Sequence, residues 1–239
     1  MLETREEGKK MPTVEFRVDN LVRVLTMRME VTEPTLEARE PIMSLHCVLY
    51  KTLNLPEKVA DAWLQYAQLL KDAGLYEAAW RAARQAVIEG EDAVLSPDYY
   101  RLSAQLLYDM GNSRQAIEFA QGRVDDSKVP AEVRSELKVL MTNWSLETGS
   151  QSTNDVIASY KAALGLYESD DAYYYLALFY DKVYITCAES LSARVSVEHT
   201  SADHEMVQLI STYALHAVQQ YGLALTRGSA RSRSRSPVC

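Results

Sequence analysis

Glu198, His199, Asp203, His204 and Glu205 bring metal-ligand side-chain types into one short span. A hydrolytic zinc helix needs two histidines one turn apart, so that both imidazoles reach one ion, with a glutamate between them as base. Here His204-Glu205-Met206-Val207-Gln208 lacks the second histidine, and His199 falls in a connection. The span reads instead as a solvated helix start whose acids complement the helix dipole. His46 beside Cys47 has the types of a base and a nucleophile. Neighbours on a helix point about 100° apart, however, and cannot easily hydrogen-bond to each other, so both read as packing positions. The pair Asp170-Asp171 precedes an apolar helix and reads as a cap, and Asp125-Asp126 as a loop pair. Trp63, Trp80 and Trp144 have no basic residues interleaved among them, which sets them among core or inter-repeat positions and not in a base-stacking platform.

No Gly-x-x-x-x-Gly-Lys, Gly-x-Gly-x-x-Gly or Gly-x-Ser-x-Gly occurs, so neither a phosphate cradle nor a nucleophile elbow is encoded in recognisable form. Cys47, Cys187 and Cys239 are odd in number and far apart, which signals neither a disulfide framework nor a zinc site. No residue is therefore assigned as catalytic, cofactor-binding or metal-ligating, and no cofactor is expected.

The elements around these residues read as helices. Nine Gly and seven Pro leave few breakers, and 47% of the chain is hydrophobic against 24% charged, the balance of a globular protein. Apolar residues at Val14, Val18, Leu21, Val22, Leu25 and Met29 share one helix face. Glu33-Pro34 interrupts, and Pro41 is placed in the first turn of a second helix that runs through Leu49. Further on, Trp63, Ala67, Leu70, Gly74, Tyr76, Ala79, Ala83 and Ala86 mark two helices joined by a tight turn, in which Gly74 supplies positive φ. Small residues let such helices approach closely. This is tetratricopeptide-like spacing.

Shifting that segment by about 37 residues tests for repetition. Trp63 then meets Tyr100, Ala67 meets Ala104, Gly74 meets Gly111, and Ala79 meets Ala116, with further identities at Gln68/Gln105, Leu70/Leu107, Asp72/Asp109 and Ala83/Ala120. Ser96-Pro97 opens the second copy and Gly122 is expected to close it. Helical patterns continue over Pro130 to Leu146, Asp155 to Tyr167 and Asp171 to Cys187. A Ser/Thr/Glu-rich connection is expected over 188–203, and a last helix from His204 to Leu225. Truncating Trp63 or Tyr100 to Ala is expected to cost about 3 kcal/mol or more if the rings are fully buried.

The expected domain plan is a disordered N-terminus over 1–12, a helical repeat domain over 13–226 and a disordered Arg/Ser tail over 227–239, since alternating Arg-Ser offers no apolar face. That tail could bind RNA or accept phosphate. The net charge is −8, and the tail brings Arg227, Arg231, Arg233 and Arg235 with no acid, so the preceding chain is more acidic by four. The folded part should repel nucleic-acid backbones. A charged N-terminus and the lack of an apolar run near 18 residues give no secretory signal and no membrane span, so the chain reads as soluble and intracellular, with no small-molecule substrate.

Four blocks in consistent order over about residues 25–225 resemble the FAT region of ATR-type phosphatidylinositol-3-kinase-related protein kinases. They are Met27-Arg28-Met29 with Glu33-Pro34 and Arg39-Glu40-Pro41-Ile42; Ala62-Trp63-Leu64-Gln65-Tyr66-Ala67 with Ala73-Gly74; Tyr175-Leu176-Ala177 with Tyr180-Asp181-Lys182; and Gln220-Tyr221-Gly222. The resemblance implies an all-α, tetratricopeptide-like α-solenoid that supports and regulates a serine/threonine kinase domain. It further implies a nuclear setting, signalling of DNA damage and replication stress, and contacts with the parent kinase domain and an ATR-interacting subunit. The glycine-rich loop, catalytic loop and metal-binding Asp of the kinase do not occur here, so the chain reads as truncated before the kinase domain and non-enzymatic. The alternative reading is a free-standing tetratricopeptide adaptor that captures peptides.

Overall fold

The computed structural model describes residues 14–89, 96–149, 151–193 and 201–234. Among the described residues every regular element is a helix. The chain divides into two compact units, 1–96 and 97–239. The first contains α1 (Val14–Val31), α2 (Leu36–Thr52), α3 (Pro56–Asp72) and α4 (Tyr76–Glu89). The second contains α5 (Pro97–Asp109), α6 (Ser113–Val124), α7 (Ala131–Glu147), α8 (Thr153–Leu166), α9 (Asp170–Ser192) and α10 (Ser201–Ser234).

Helix pairs in both units are closed by one kind of turn. After α3, the Gly74 N–H donates to the Lys71 carbonyl and the Leu75 N–H to the Leu70 carbonyl; after α5, Gly111 donates to Tyr108 and Asn112 to Leu107. This double return satisfies the last carbonyls of a helix and requires a left-handed residue. Gly74 and Gly111 supply it at φ +77° and +81°. The same bonds recur after α2, where Asn54 occupies that place at φ 53°. Sequence reading misses this third turn because its left-handed residue is not glycine.

In the first unit, Ala67 of α3 and Ala79, Ala83 and Ala86 of α4 have no exposed surface, so the two backbones approach with no long side chain between them. On the other side of α3, Cys47, Tyr50, Val59 and Ala62 form a cluster that Val22, Leu49 and Trp63 join. Trp63 is only half-buried. Its indole Nε1–H donates to Glu89 Oε2 at 2.9 Å, and the same carboxylate accepts from Lys51 Nζ and Gln85 Nε2, both at 2.8 Å. One side chain at the end of α4 thereby ties down α2 and α3.

In the second unit, Ala104 and Ala116 are likewise fully buried. Tyr100 is half-buried, with the Arg123 guanidinium 5.6 Å from its ring centre. The condition of full burial attached to the expected cost at Trp63 and Tyr100 is therefore not met, because each side chain is only half-buried. Trp144 of α7 is the buried tryptophan and stacks on Tyr108 of α5 at 4.6 Å and 9°. The main cluster joins Val139 of α7, Val156 and Tyr160 of α8, Leu176 and Tyr180 of α9, and Ala217 of α10. Ser135, fully buried on α7, reaches the Ala163 and Tyr167 carbonyls at 2.9 and 3.1 Å and satisfies the end of α8.

Several boundaries differ from the sequence reading. Helix α2 begins at Leu36, with Pro41 inside it: the Arg39 N–H already donates to the Thr35 carbonyl at 3.1 Å, and the Arg39 guanidinium donates to the Thr32 carbonyl at 2.9 Å. Gly122 lies within α6, which ends at Val124, where Arg134 Nε donates to the Val124 carbonyl at 2.7 Å. Helix α9 continues to Ser192, since the Thr186 and Ser190 hydroxyls bond to carbonyls one turn back and do not break it. The backbone of α10 extends through 227–234, where disorder is expected from the sequence. Arg227 there pairs with the Glu168 carboxylate and lies 5.6 Å from the Tyr173 ring centre. Residues 1–13 and 235–239, two ends of the expected domain plan, fall outside the described residues.

Candidate interaction surface

Among the described residues, those with chemical potential do not assemble into a reaction centre. His46 and Cys47 are both buried on α2. Burial, and then the charge of Glu89, push the Cys47 thiol up to about 11, which keeps it protonated and unreactive near neutrality. Burial also lowers the His46 pKa, and its Nε2 has no hydrogen-bond partner, so the neutral ring sits 5.6 Å from Tyr50 as a packing group. Glu198 and His199 lie outside the described residues, while His204 and Glu205 are exposed at the start of α10. Among the described residues no three His, Cys, Asp or Glu side chains lie close enough together to hold a metal ion.

Asp170 and Asp171 occupy the first turn of α9, and the cap before them is Ser169, whose hydroxyl accepts from the Ala172 N–H at 3.1 Å. Asp98, Glu132 and Asp170-Asp171 stand in the first turns of α5, α7 and α9 beside a cleft of about 600 Å³. Arg101 crosses that cleft's wall, with Asp98 at 2.6 Å and Glu136 at 3.7 Å. Acids at helix starts offset the positive dipole ends, and the resulting negative wall disfavours phosphate ligands. The three tryptophans make no stacking row, since Trp144 is buried against Tyr108 and both Trp63 and Trp80 are half-buried.

The largest departure from an ordinary solvated surface lies on α9 and α10. Between Met206 and Thr226, α10 carries no Asp, Glu, Lys or Arg. A helix buried on one face normally charges the other. Here the inward face, with Ala217 and Tyr221, meets α9, yet Val207, Leu215, Val218 and Leu225 are exposed by 47%, 57%, 69% and 74%. On α9, Tyr174, Leu178 and Ile185 form a second exposed row at helical spacing. The Tyr174 and Tyr221 rings, 6.0 Å apart, join the two rows into one face. No described helix is long and apolar enough to cross a membrane. The sequence signal for this face was available: a long uncharged stretch that is apolar around most of its circumference. The Glu89 junction left no such local trace.

Comparison with known proteins fits this architecture. The family model described as "FAT domain" matches residues 7–237. The serine/threonine-protein kinase ATR of Arabidopsis thaliana is 26% identical over 190 residues, covering 66% of this chain and 7% of that protein. The serine/threonine-protein kinase ATR of Oryza sativa subsp. indica is 26% identical over 191 residues with the same coverage. The chain thus spans 7% of the length of these curated relatives. Among solved structures, the crystal structure of MamA aligns over 82% of this chain and 94% of its own, with a TM-score of 0.45 and 14% identity.

Proposed function

We propose, from the premise that this chain belongs to the FAT domain family, that it is a non-catalytic helical scaffold segment of an ATR-like serine/threonine checkpoint kinase. The observation that carries the reading is the family match from residue 7 to 237, together with the similarity to two ATR kinases. In this reading residues 13–226 form the repeat domain. Trp63, Ala67, Gly74 and Ala79 define one helix pair, and Tyr100, Ala104, Gly111 and Ala116 its recurrence. Its partners are the parent kinase domain, which it supports and regulates, and the ATR-interacting subunit, and its setting is nuclear DNA-damage and replication-stress signalling.

The test is binding in trans. The purified chain is mixed with a separately expressed kinase domain of an ATR-type kinase and followed by light scattering and by peptide phosphorylation. A one-to-one complex with altered kinase turnover is expected, and no phosphorylation by the chain alone. Failure to bind the kinase domain, or phosphotransfer by the chain itself, overturns the reading.

A further inference from the structure

We propose that Ser232 and Ser234, in the Arg-Ser stretch at the end of α10, are phosphorylation sites for a separate, arginine-directed serine kinase, and that phosphate there detaches the end of α10 from the acidic start of α9. The inference concerns one end of this chain and does not depend on the function proposed above. It begins from the order Arg231-Ser232-Arg233-Ser234-Arg235, in which each of the two serines has an arginine on either side. From Met206 to Cys239 there is no Asp or Glu, while the chain as a whole carries a net charge of −8. An enzyme with an acidic substrate groove is therefore steered to this end and repelled from the rest. The same acidity disfavours RNA as the partner of these arginines.

The end of α10 is held by charge. Arg227 donates to the Glu168 carboxylate and, from Nη1, to the Glu168 carbonyl at 3.3 Å, and its guanidinium lies 5.6 Å from the Tyr173 ring centre. One residue on, a side-chain carbon at Gly228 would stand 3.6 Å from Asp170 Oδ2. Glu168, Asp170 and Asp171 thus gather at the start of α9, against the end of α10 that leads into the arginines. Alternating Arg-Ser has no apolar face to favour a helix, yet the α10 backbone stays helical to Ser234. Two effects of charge favour it: cations near a helix C-terminus offset its negative dipole end, and the acids of α9 attract them.

Phosphate reverses both effects. The serine Oγ takes the γ-phosphoryl group of ATP: a bond forms from Oγ to phosphorus, the bond from that phosphorus to the ADP oxygen breaks, ADP leaves, and the hydroxyl proton passes to the kinase's base and on to solvent. Each phosphoserine carries about −1.5 to −2 charges at pH 7, so two of them offset most of the charge of the arginines beside them. At the helical rise, Ser232 and Ser234 stand about 6 and 9 Å along the axis beyond Gly228, comparable to the screening length of about 8 Å in physiological salt. The new charges therefore meet the C-terminal dipole end of α10 and the carboxylates at the start of α9, a placement in which phosphate disrupts a helix end.

The experiment incubates the full chain with ATP and a recombinant serine kinase selective for Arg-Ser dipeptides, and locates the phosphates by fragment mass spectrometry. Phosphate is expected on Ser232 and Ser234. Modified and unmodified chains are then compared by amide hydrogen exchange. Exchange between Thr226 and Ser234 is expected to rise about tenfold, with α7 unchanged, and the rise should shrink in about 1 M salt. In a Glu168→Gln/Asp170→Asn variant the same amides should already exchange faster, and phosphate should add less. No phosphate on Ser232 and Ser234, phosphate there that leaves exchange of these amides unchanged, or a rise of equal size in the Glu168→Gln/Asp170→Asn variant overturns the proposal.

Discussion

Replacing Glu89 by Ala removes the acceptor that three donors share, and the structure indicates which of them carries the loss. Lys51 is two-thirds exposed, so its ion pair contributes at most about 1 kcal/mol. Gln85 lies one turn back on the same helix and contributes a few tenths. The Trp63 Nε1–H bond differs because it joins α3 to α4 and its acceptor is an ionised carboxylate only 15% exposed. Hydrogen bonds to charged groups contribute about 1.5–3 kcal/mol. Glu89→Ala should therefore destabilise the chain by about 2–3 kcal/mol, and Trp63→Phe, which keeps most of the ring and removes the donor, by about 2 kcal/mol. Urea unfolding of both single variants and the double variant gives the coupling, expected near 1.5 kcal/mol, whereas the Lys51→Ala/Glu89→Ala cycle should give less than 1 kcal/mol. A Trp63–Glu89 coupling below about 0.5 kcal/mol, or a Lys51 coupling equal to it, would refute the assignment of the indole bond as the main tie.

Stability should fall as pH drops from about 7.5 to 5.5 through His46. Burial holds its folded pKa below the unfolded value near 6.5, so the unfolded chain takes up a proton that the folded chain refuses; His46→Phe should flatten that part of a urea-midpoint profile against pH. Gly74→Ala and Gly111→Ala should each lower the melting midpoint, at a cost of about 1 kcal/mol in stability, because both residues are left-handed, whereas Asn54→Gly should be neutral or slightly stabilising at φ 53°. Trp144→Ala should cost about 3–5 kcal/mol, more than Trp63→Ala, because only Trp144 is buried.

Helix content, the two lettered repeats and their turns were legible because each rests on local physics. A glycine at the end of an apolar-periodic run has few reasons to be there other than a left-handed turn, and Gly74 and Gly111 fit that reasoning. Gly122 looks the same in sequence, yet a glycine inside a helix costs only about 1 kcal/mol, and neighbouring contacts outweigh it at the end of α6. Pro41 misled in the same way, since α2 begins at Leu36 and carries the proline inside it. The Glu89 junction was least legible of all. Its indole donor lies 26 residues away, and neither residue type announces the other.

The exposed face of α9 and α10 shows why composition alone did not separate core from surface here. Tyr, Ala, Leu and Val at helical spacing describe a buried helix in sequence, and α10 fits that description around most of its circumference. The second unit, however, covers only the side that carries Ala217 and Tyr221. An apolar helix half-covered by its own unit leaves a cost that water cannot remove, roughly 25 cal/mol for each Å² of apolar surface left exposed. A scaffold segment lowers that cost when another helical surface covers the face. The exposed apolar residues between Val207 and Leu225 on α10, with Tyr174, Leu178 and Ile185 on α9, are side chains of the kind that pack against a covering surface.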